Sequence, residues 1–129
     1  MTSEAHTTAI LALDLLCQEF NIPAHEIPIL VWSRRTTNGR FRWRGPLPGN
    51  WKLIIGPRCW RGWELALLHE FAHYLVHRSS SREQSHGKRF HYELTRIAAA
   101  WYGDAARYDW STEYRSFRSG PAPLKMEDL

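Results

Sequence analysis

The segment HEFAH, residues 69 to 73, holds the residue types most suited to chemistry in this chain. His69 and His73 stand close to one helical turn apart, so both imidazoles would project from the same face of a helix. Imidazole nitrogens at this spacing suit zinc, whose tetrahedral shell leaves one position for water. Glu70 lies beside them, so the pattern H-E-x-x-H predicts a hydrolytic zinc site with Glu70 as the general base.

A catalytic zinc ion usually takes three protein ligands, so a third must be found. His77 continues the series along the helix but stands two turns from His69, about 12 Å away by helix rise. His91 falls inside the next predicted helix, where a packed or surface histidine is expected. His86 precedes that helix, at the end of a loop long enough to bring it back over the first two ligands. We therefore predict His86 as the third ligand, with His91 as the alternative.

Together these segments resemble the SprT-like zinc metallopeptidases, whose pattern is HExxH on one helix and a histidine in an HGxxF segment that opens the next. Residues 86 to 90, HGKRF, match that segment position by position, and the resemblance covers about residues 5 to 102. It implies an α+β, zincin-like single domain in which His69, His73 and His86 bind one zinc ion. It also implies that Glu70 activates the zinc-bound water to hydrolyse peptide bonds.

A second family is also similar to this chain, and the chain differs from the larger SprT-like proteins in one respect. The YgjP or WLM-type proteins share HExxH followed by an HSxRF-type segment, but with a shorter gap than the one between His73 and His86. Relatives in the SprT-like family include DNA-dependent proteases that degrade proteins crosslinked to DNA. Many larger members carry a C-terminal zinc ribbon of CxxC pairs, whereas this chain has only Cys17 and Cys59. A minimal, bacterial or phage-type version without the ribbon is therefore implied.

The elements that position this site follow from periodicity and turn signals. Apolar residues at helical spacing predict an N-terminal helix over 5–20, the HExxH helix over about 62–78 and a ligand-bearing helix over about 88–101. Run 27–33 reads as a buried strand and run 51–56 as a further strand, and Asn38-Gly39 is a hairpin signal before a strand that begins at Arg40. We predict a small antiparallel sheet of about three strands, a domain over 1–118 and a flexible tail over 119–129.

A basic, aromatic stretch coincides with the predicted hairpin. Guanidinium groups pair with phosphates and exposed rings stack on unpaired bases, so this stretch is a candidate surface for single-stranded or junction DNA. Alternation places Phe41 and Trp43 opposite the arginines, which slightly favours a solvated arginine face with the aromatics in the core. The candidate contacts are Arg34, Arg35, Arg40, Arg42 and Arg44, with Trp32, Trp43 and Trp51 interleaved.

Composition limits the function classes. The chain has 129 residues, a formal net charge of +4 and a pI near 9.4, which is compatible with a polyanionic partner. The N-terminus has no basic region before an apolar run, so no targeting or membrane segment is predicted and a cytoplasmic protein is expected. No feature fixes the oligomeric state.

Three functions fit the residues. The first is a zinc metallopeptidase acting on a protein or peptide, with DNA as a candidate partner. The second is a nucleic-acid-binding module in which the zinc is structural or the site is degenerate. The third is a zinc hydrolase of another amide or ester.

Overall fold

The computed structural model describes residues 3–45, 48–79 and 86–122. Within these residues the class is α+β, as predicted, with three α-helices and one three-stranded sheet. None of these helices is long and apolar enough to cross a membrane. In chain order the elements are α1 (Glu4–Glu19), β1 (Ile29–Trp32), β2 (Arg40–Arg42), β3 (Lys52–Ile55), α2 (Trp63–Arg78) and α3 (Lys88–Tyr102).

The chain divides into two compact units, Met1–Tyr74 and Leu75–Leu129, with the boundary inside α2. The first unit holds α1, the sheet and the greater part of α2, and the second holds the end of α2, α3 and the C-terminal segment. Residues 123–129 of the predicted tail lie outside the described residues. The domain over 1–118 and the tail over 119–129 stay predictions.

Helix α1 confirms the N-terminal prediction to within a residue at each end. Ser3 caps it, because the Ser3 side chain accepts a hydrogen bond from the His6 N–H at 3.1 Å and so satisfies a backbone donor that the first turn leaves unpaired. Asn21, at φ 55, reverses the chain after the last turn. The helix buries one stripe of small and apolar side chains: Ala9, Ala12, Leu13, Leu16 and Cys17.

The sheet corrects the predicted topology. Its order is β1-β3-β2: β1 runs parallel to β3, and only β2 is antiparallel to it. The sheet is therefore mixed, and the Asn38-Gly39 turn does not join paired strands. Leu53 and Ile55 of β3 are fully buried, as expected of a strand with neighbours on both sides. The prediction of a buried β1 is wrong, because β1 lies at an edge and Ile29 is 48% exposed.

An aromatic cluster fixes α2 in the first unit. Tyr74 packs edge-on against Phe41 of β2 and against Trp51, and it stacks on Phe71 one turn earlier. The Tyr74 hydroxyl donates to the carbonyl oxygen of Glu26 at 2.7 Å, so its polar end is also satisfied. Every residue of α2 from 66 to 72 is buried. The helix that carries H-E-x-x-H is thus enclosed, which holds its side chains in place.

In the second unit the C-terminal segment packs on α3. It forms three short 3-10 turns, Ala105–Arg107, Trp110–Thr112 and Arg115–Phe117. The Trp110 indole donates to the Ala105 carbonyl oxygen, and the Ala122 N–H donates to the Thr95 hydroxyl of α3. The first of these bonds is internal to segment 104–122, and the second ties the end of the segment to α3. The turn Ala105–Arg107 also contacts α3.

Candidate metal centre

His69 and His73 are neighbours on α2, as the helical spacing predicts. Their ring centroids are 5.0 Å apart and the ring planes are inclined by 70°. His69 is buried at 7% exposure and His73 is half-buried. One helix face therefore offers two imidazoles side by side, one of them almost shielded from water.

His86 joins these two residues. One ring nitrogen from each of His69, His73 and His86 lies within 4.8 Å of the others, so the three histidines could hold a metal ion. No other such group of histidine, cysteine or carboxylate ligand atoms occurs within 3–45, 48–79 and 86–122. His86 stands two positions before α3 begins, and its ring contacts those of Phe90 and Tyr114.

His91, the alternative third ligand, is packed elsewhere. Its ring stacks on Phe117 with centroids 4.3 Å apart and meets Trp110 edge-on. Burial lowers the pKa of His91, so the ring is neutral at pH 7. Its Nε2 lies 2.9 Å from the Gly120 carbonyl oxygen, which it reaches as a donor in the matching tautomer. His91 thus behaves as a structural histidine that binds the C-terminal segment to α3.

Glu70, the predicted general base, is 5% exposed and packs against the Asn38-Gly39 turn. A Cβ added to Gly39 would lie 3.2 Å from Glu70 Oε2 and 3.4 Å from Ala66 Cβ. Gly39 also has φ +80, a conformation that side chains disfavour. Glycine is thus favoured at position 39 for two reasons: its backbone adopts a positive φ, and a side chain there would crowd the Glu70 carboxylate. The sequence signal taken for a hairpin marks this packing instead.

The electrostatic surroundings of Glu70 include a buried thiol. Burial raises the pKa of Cys59, and the nearby Glu70 carboxylate raises it further. Cys59 therefore stays protonated at neutral pH in the metal-free protein. Cys17 is also free and buried. Neither cysteine belongs to the histidine group.

Two other buried carboxylates have structural partners. Glu93 is paired with Arg89 at 3.2 Å and with Arg96 at 2.7 Å on α3. Glu113 accepts a hydrogen bond of 2.6 Å from the Tyr108 hydroxyl. Both acids serve the packing of the second unit.

The arginine surface is largely as predicted, with one correction. All five candidate arginines are exposed, and Phe41 contacts Trp51 and Tyr74 in the core. Trp43, however, is 56% exposed, because β2 ends at Arg42 and the alternation stops there. A cleft of about 150 Å³ opens beside it, lined by Arg42, Trp43, Arg44, Asn50 and Lys52.

Tyr114 is a site neighbour that the sequence did not reveal. Its ring lies 3.8 Å from that of His86, although 28 positions of chain separate the two. No periodicity or motif links them, since the contact depends on how segment 104–122 turns back on α3.

Comparisons of the chain with known protein families, with curated proteins and with solved structures give no match.

Proposed function

We propose that this chain is a minimal SprT-like zinc metallopeptidase, in which His69, His73 and His86 hold zinc and Glu70 is the general base. The observation that carries the proposal is the grouping of the three histidine nitrogens within 4.8 Å. Two of them flank a buried glutamate on one helix, and the third opens the next helix within HGxxF. This is the arrangement of residues that the resemblance implies.

The donor set fits zinc better than a hard cation. Three imidazoles and no carboxylate suit zinc, whereas magnesium and calcium prefer oxygen ligands. Zinc binds imidazole nitrogen at about 2.0–2.1 Å, and the three nitrogens that would hold it lie within 4.8 Å of one another. Three protein ligands leave the fourth position to water or substrate, which is the composition of a catalytic rather than a closed structural site.

When bound, zinc would acidify a coordinated water and polarise the scissile carbonyl. Glu70 accepts the proton of the attacking water as the new carbon–oxygen bond forms, and it returns that proton to the leaving amine nitrogen as the carbon–nitrogen bond breaks. Enclosure of α2 and the contact with Gly39 restrict the Glu70 side chain. Such restriction favours a single orientation for proton transfer.

The edge strand β2 favours a peptide over another amide or an ester. It begins at Arg40, directly after the glycine that touches Glu70, and the sheet order leaves it at the outside of β3. An extended peptide can add to such an edge through main-chain hydrogen bonds. The scissile bond would then be presented close to the Glu70 carboxylate.

Metal removal tests this function directly. Purified protein should cleave an unfolded protein substrate, lose the activity on dialysis against a chelator, and regain it when about one equivalent of zinc is restored. A small ester and a small amide, assayed in parallel, test the hydrolase alternative. Cleavage that persists in the chelated protein would contradict the proposal, as would hydrolysis of the small substrates without any cleavage of protein.

A second function, contact with single-stranded nucleic acid, is favoured by the cleft at Trp43. The exposed indole stands among Arg42, Arg44 and Lys52. A base could stack on the ring while the cations bind flanking phosphates, and stacking of this kind contributes about 1–3 kcal/mol per base. If the chain is a peptidase, DNA binding at this cleft would be an additional property of the enzyme. If the zinc is structural or the site is degenerate, DNA binding would be the main function.

Charge reversal in the cleft tests nucleic-acid contact. Arg42→Glu/Arg44→Glu should weaken binding of a single-stranded oligonucleotide by at least about tenfold and lower the salt slope by about 0.7 for each lost phosphate contact. The matched control is Arg58→Glu/Arg107→Glu, which changes net charge equally at two exposed positions outside the cleft. Binding is measured by fluorescence anisotropy over a salt series. Equal loss in the two double variants would indicate only a general charge effect.

A further inference from the structure

We propose that Tyr114 is a positioning residue of the metal centre, whose ring packs at a tilt against His86 and holds that imidazole ready for zinc. This inference rests on the proposed function, because it takes His86 as a ligand. It assigns a role to segment 104–122, which the three-histidine pattern leaves without one.

Two ring contacts of His86 come from α3 and from the C-terminal segment. His86 precedes α3 by two positions. Phe90, in the first turn of α3, meets the His86 ring edge-on with centroids 5.0 Å apart, and the Tyr114 ring centroid is 3.8 Å from that of His86 with the planes inclined by 33°. The closer of these two rings comes from the C-terminal segment.

Tyr114 is itself held on both sides along the chain. Before it, the Glu113 side chain is buried and accepts from the Tyr108 hydroxyl, while the Glu113 carbonyl oxygen accepts from Arg118 Nε at 3.1 Å. After it, the Phe117 N–H donates to the Tyr114 carbonyl oxygen at 2.8 Å. Tyr114 thus has an anchored backbone.

The anchor after Tyr114 also joins it to α3. Phe117 is 4% exposed and stacks on Phe90 at 5.9 Å and on His91 at 4.3 Å. His91 in turn binds the Gly120 carbonyl oxygen. Phe90 therefore contacts both His86 and Phe117, the residue that anchors the backbone of Tyr114.

The exposure of the Tyr114 side chain distinguishes a positioning role from simple core packing. Tyr114 is 51% exposed, whereas its neighbours Glu113 and Phe117 are buried. An aromatic ring that leaves half its surface in water adds less to stability through burial than a core residue does. Its contact with His86 can still limit rotation of the imidazole, and a ligand that is already oriented loses less entropy on binding.

The expected effect is on metal affinity. Loss of an outer-shell partner of a zinc ligand typically lowers affinity by about 10- to 100-fold. We expect that loss in Tyr114→Leu, which removes the ring. Tyr114→Phe keeps the aromatic ring and should bind zinc as the wild type does. Tyr102→Leu, at the far end of α3, is the matched control for removing a tyrosine from this unit.

Two readouts on the full chain separate the possibilities. Zinc affinity is measured by competition with a chromophoric chelator. The ring-proton shifts of His86, measured by NMR in the zinc-free protein, report the ring contact directly, and Tyr114→Leu should remove a ring-current shift that Tyr114→Phe keeps. Circular dichroism establishes that each variant is folded.

The outcomes distinguish this inference from the proposed function. If the wild type binds zinc tightly and Tyr114→Leu binds it equally well, the inference fails while the metal site stands. Equal loss in Tyr114→Phe and Tyr114→Leu would also overturn it, because the hydroxyl and not the packed ring would then matter. Failure of the wild type to bind zinc would overturn the proposed function, and this inference with it, whatever the histidine shifts show.

Discussion

Glu70→Gln is expected to slow peptide hydrolysis by about 10²- to 10⁴-fold, the range that loss of general acid–base catalysis produces. Glutamine keeps the shape of the side chain but cannot accept the proton of the attacking water. The histidine ligands are untouched, so the variant should retain zinc at the wild-type stoichiometry. The measurement is the initial rate of cleavage of an unfolded protein substrate at matched zinc content.

Glu64→Gln is the matched control for this variant. It is the same isosteric change on the same helix, at an exposed position in the first turn. Its cleavage rate should remain near that of the wild type. A Glu70→Gln protein that cleaves at the wild-type rate would remove Glu70 from the mechanism. One that loses zinc as well as activity would make the carboxylate a structural support of the site.

The helices and the first two metal ligands could be predicted because their signals are local. Helical spacing placed α2 to within about one residue, and the same spacing put His69 and His73 on one face. His86 needed more than periodicity, since it stands outside a helix. Its place before α3 and the HGxxF resemblance predict it as the third ligand, and the structure groups it with the other two histidines.

The sheet could not be predicted because strand pairing is long-range. Asn38-Gly39 normally signals a two-residue hairpin, but here Gly39 packs on Glu70 and Ala66, and the strands before and after the turn both pair with β3. Strand periodicity also misassigned Trp43, because it gives no sign that β2 ends at Arg42. The strand pairing is decided by a long-range contact of Gly39, and the exposure of Trp43 is decided by the point at which β2 ends. The local sequence pattern shows neither.

His86→Ala is expected to lower zinc affinity more than Tyr114→Leu or His91→Ala. Two histidines on one helix remain, and a catalytic zinc site normally requires three protein ligands. The loss of affinity should exceed the roughly 10- to 100-fold that removal of an outer-shell partner causes. His91→Ala is the matched control: it removes a histidine from the same unit whose Nε2 binds the Gly120 carbonyl oxygen and which lies outside the histidine group.

The most direct test of the three-histidine site is the zinc content per chain, measured by elemental mass spectrometry. The protein is purified without chelators and without a histidine tag, as wild type, His86→Ala and His91→Ala, and each is verified as folded. The account predicts about one zinc ion per chain in the wild type and in His91→Ala, and little in His86→Ala. A wild type without zinc, or a His86→Ala protein that keeps it, would contradict the three-histidine metal site. Nucleic-acid binding at the cleft beside Trp43 would then be the better-supported function.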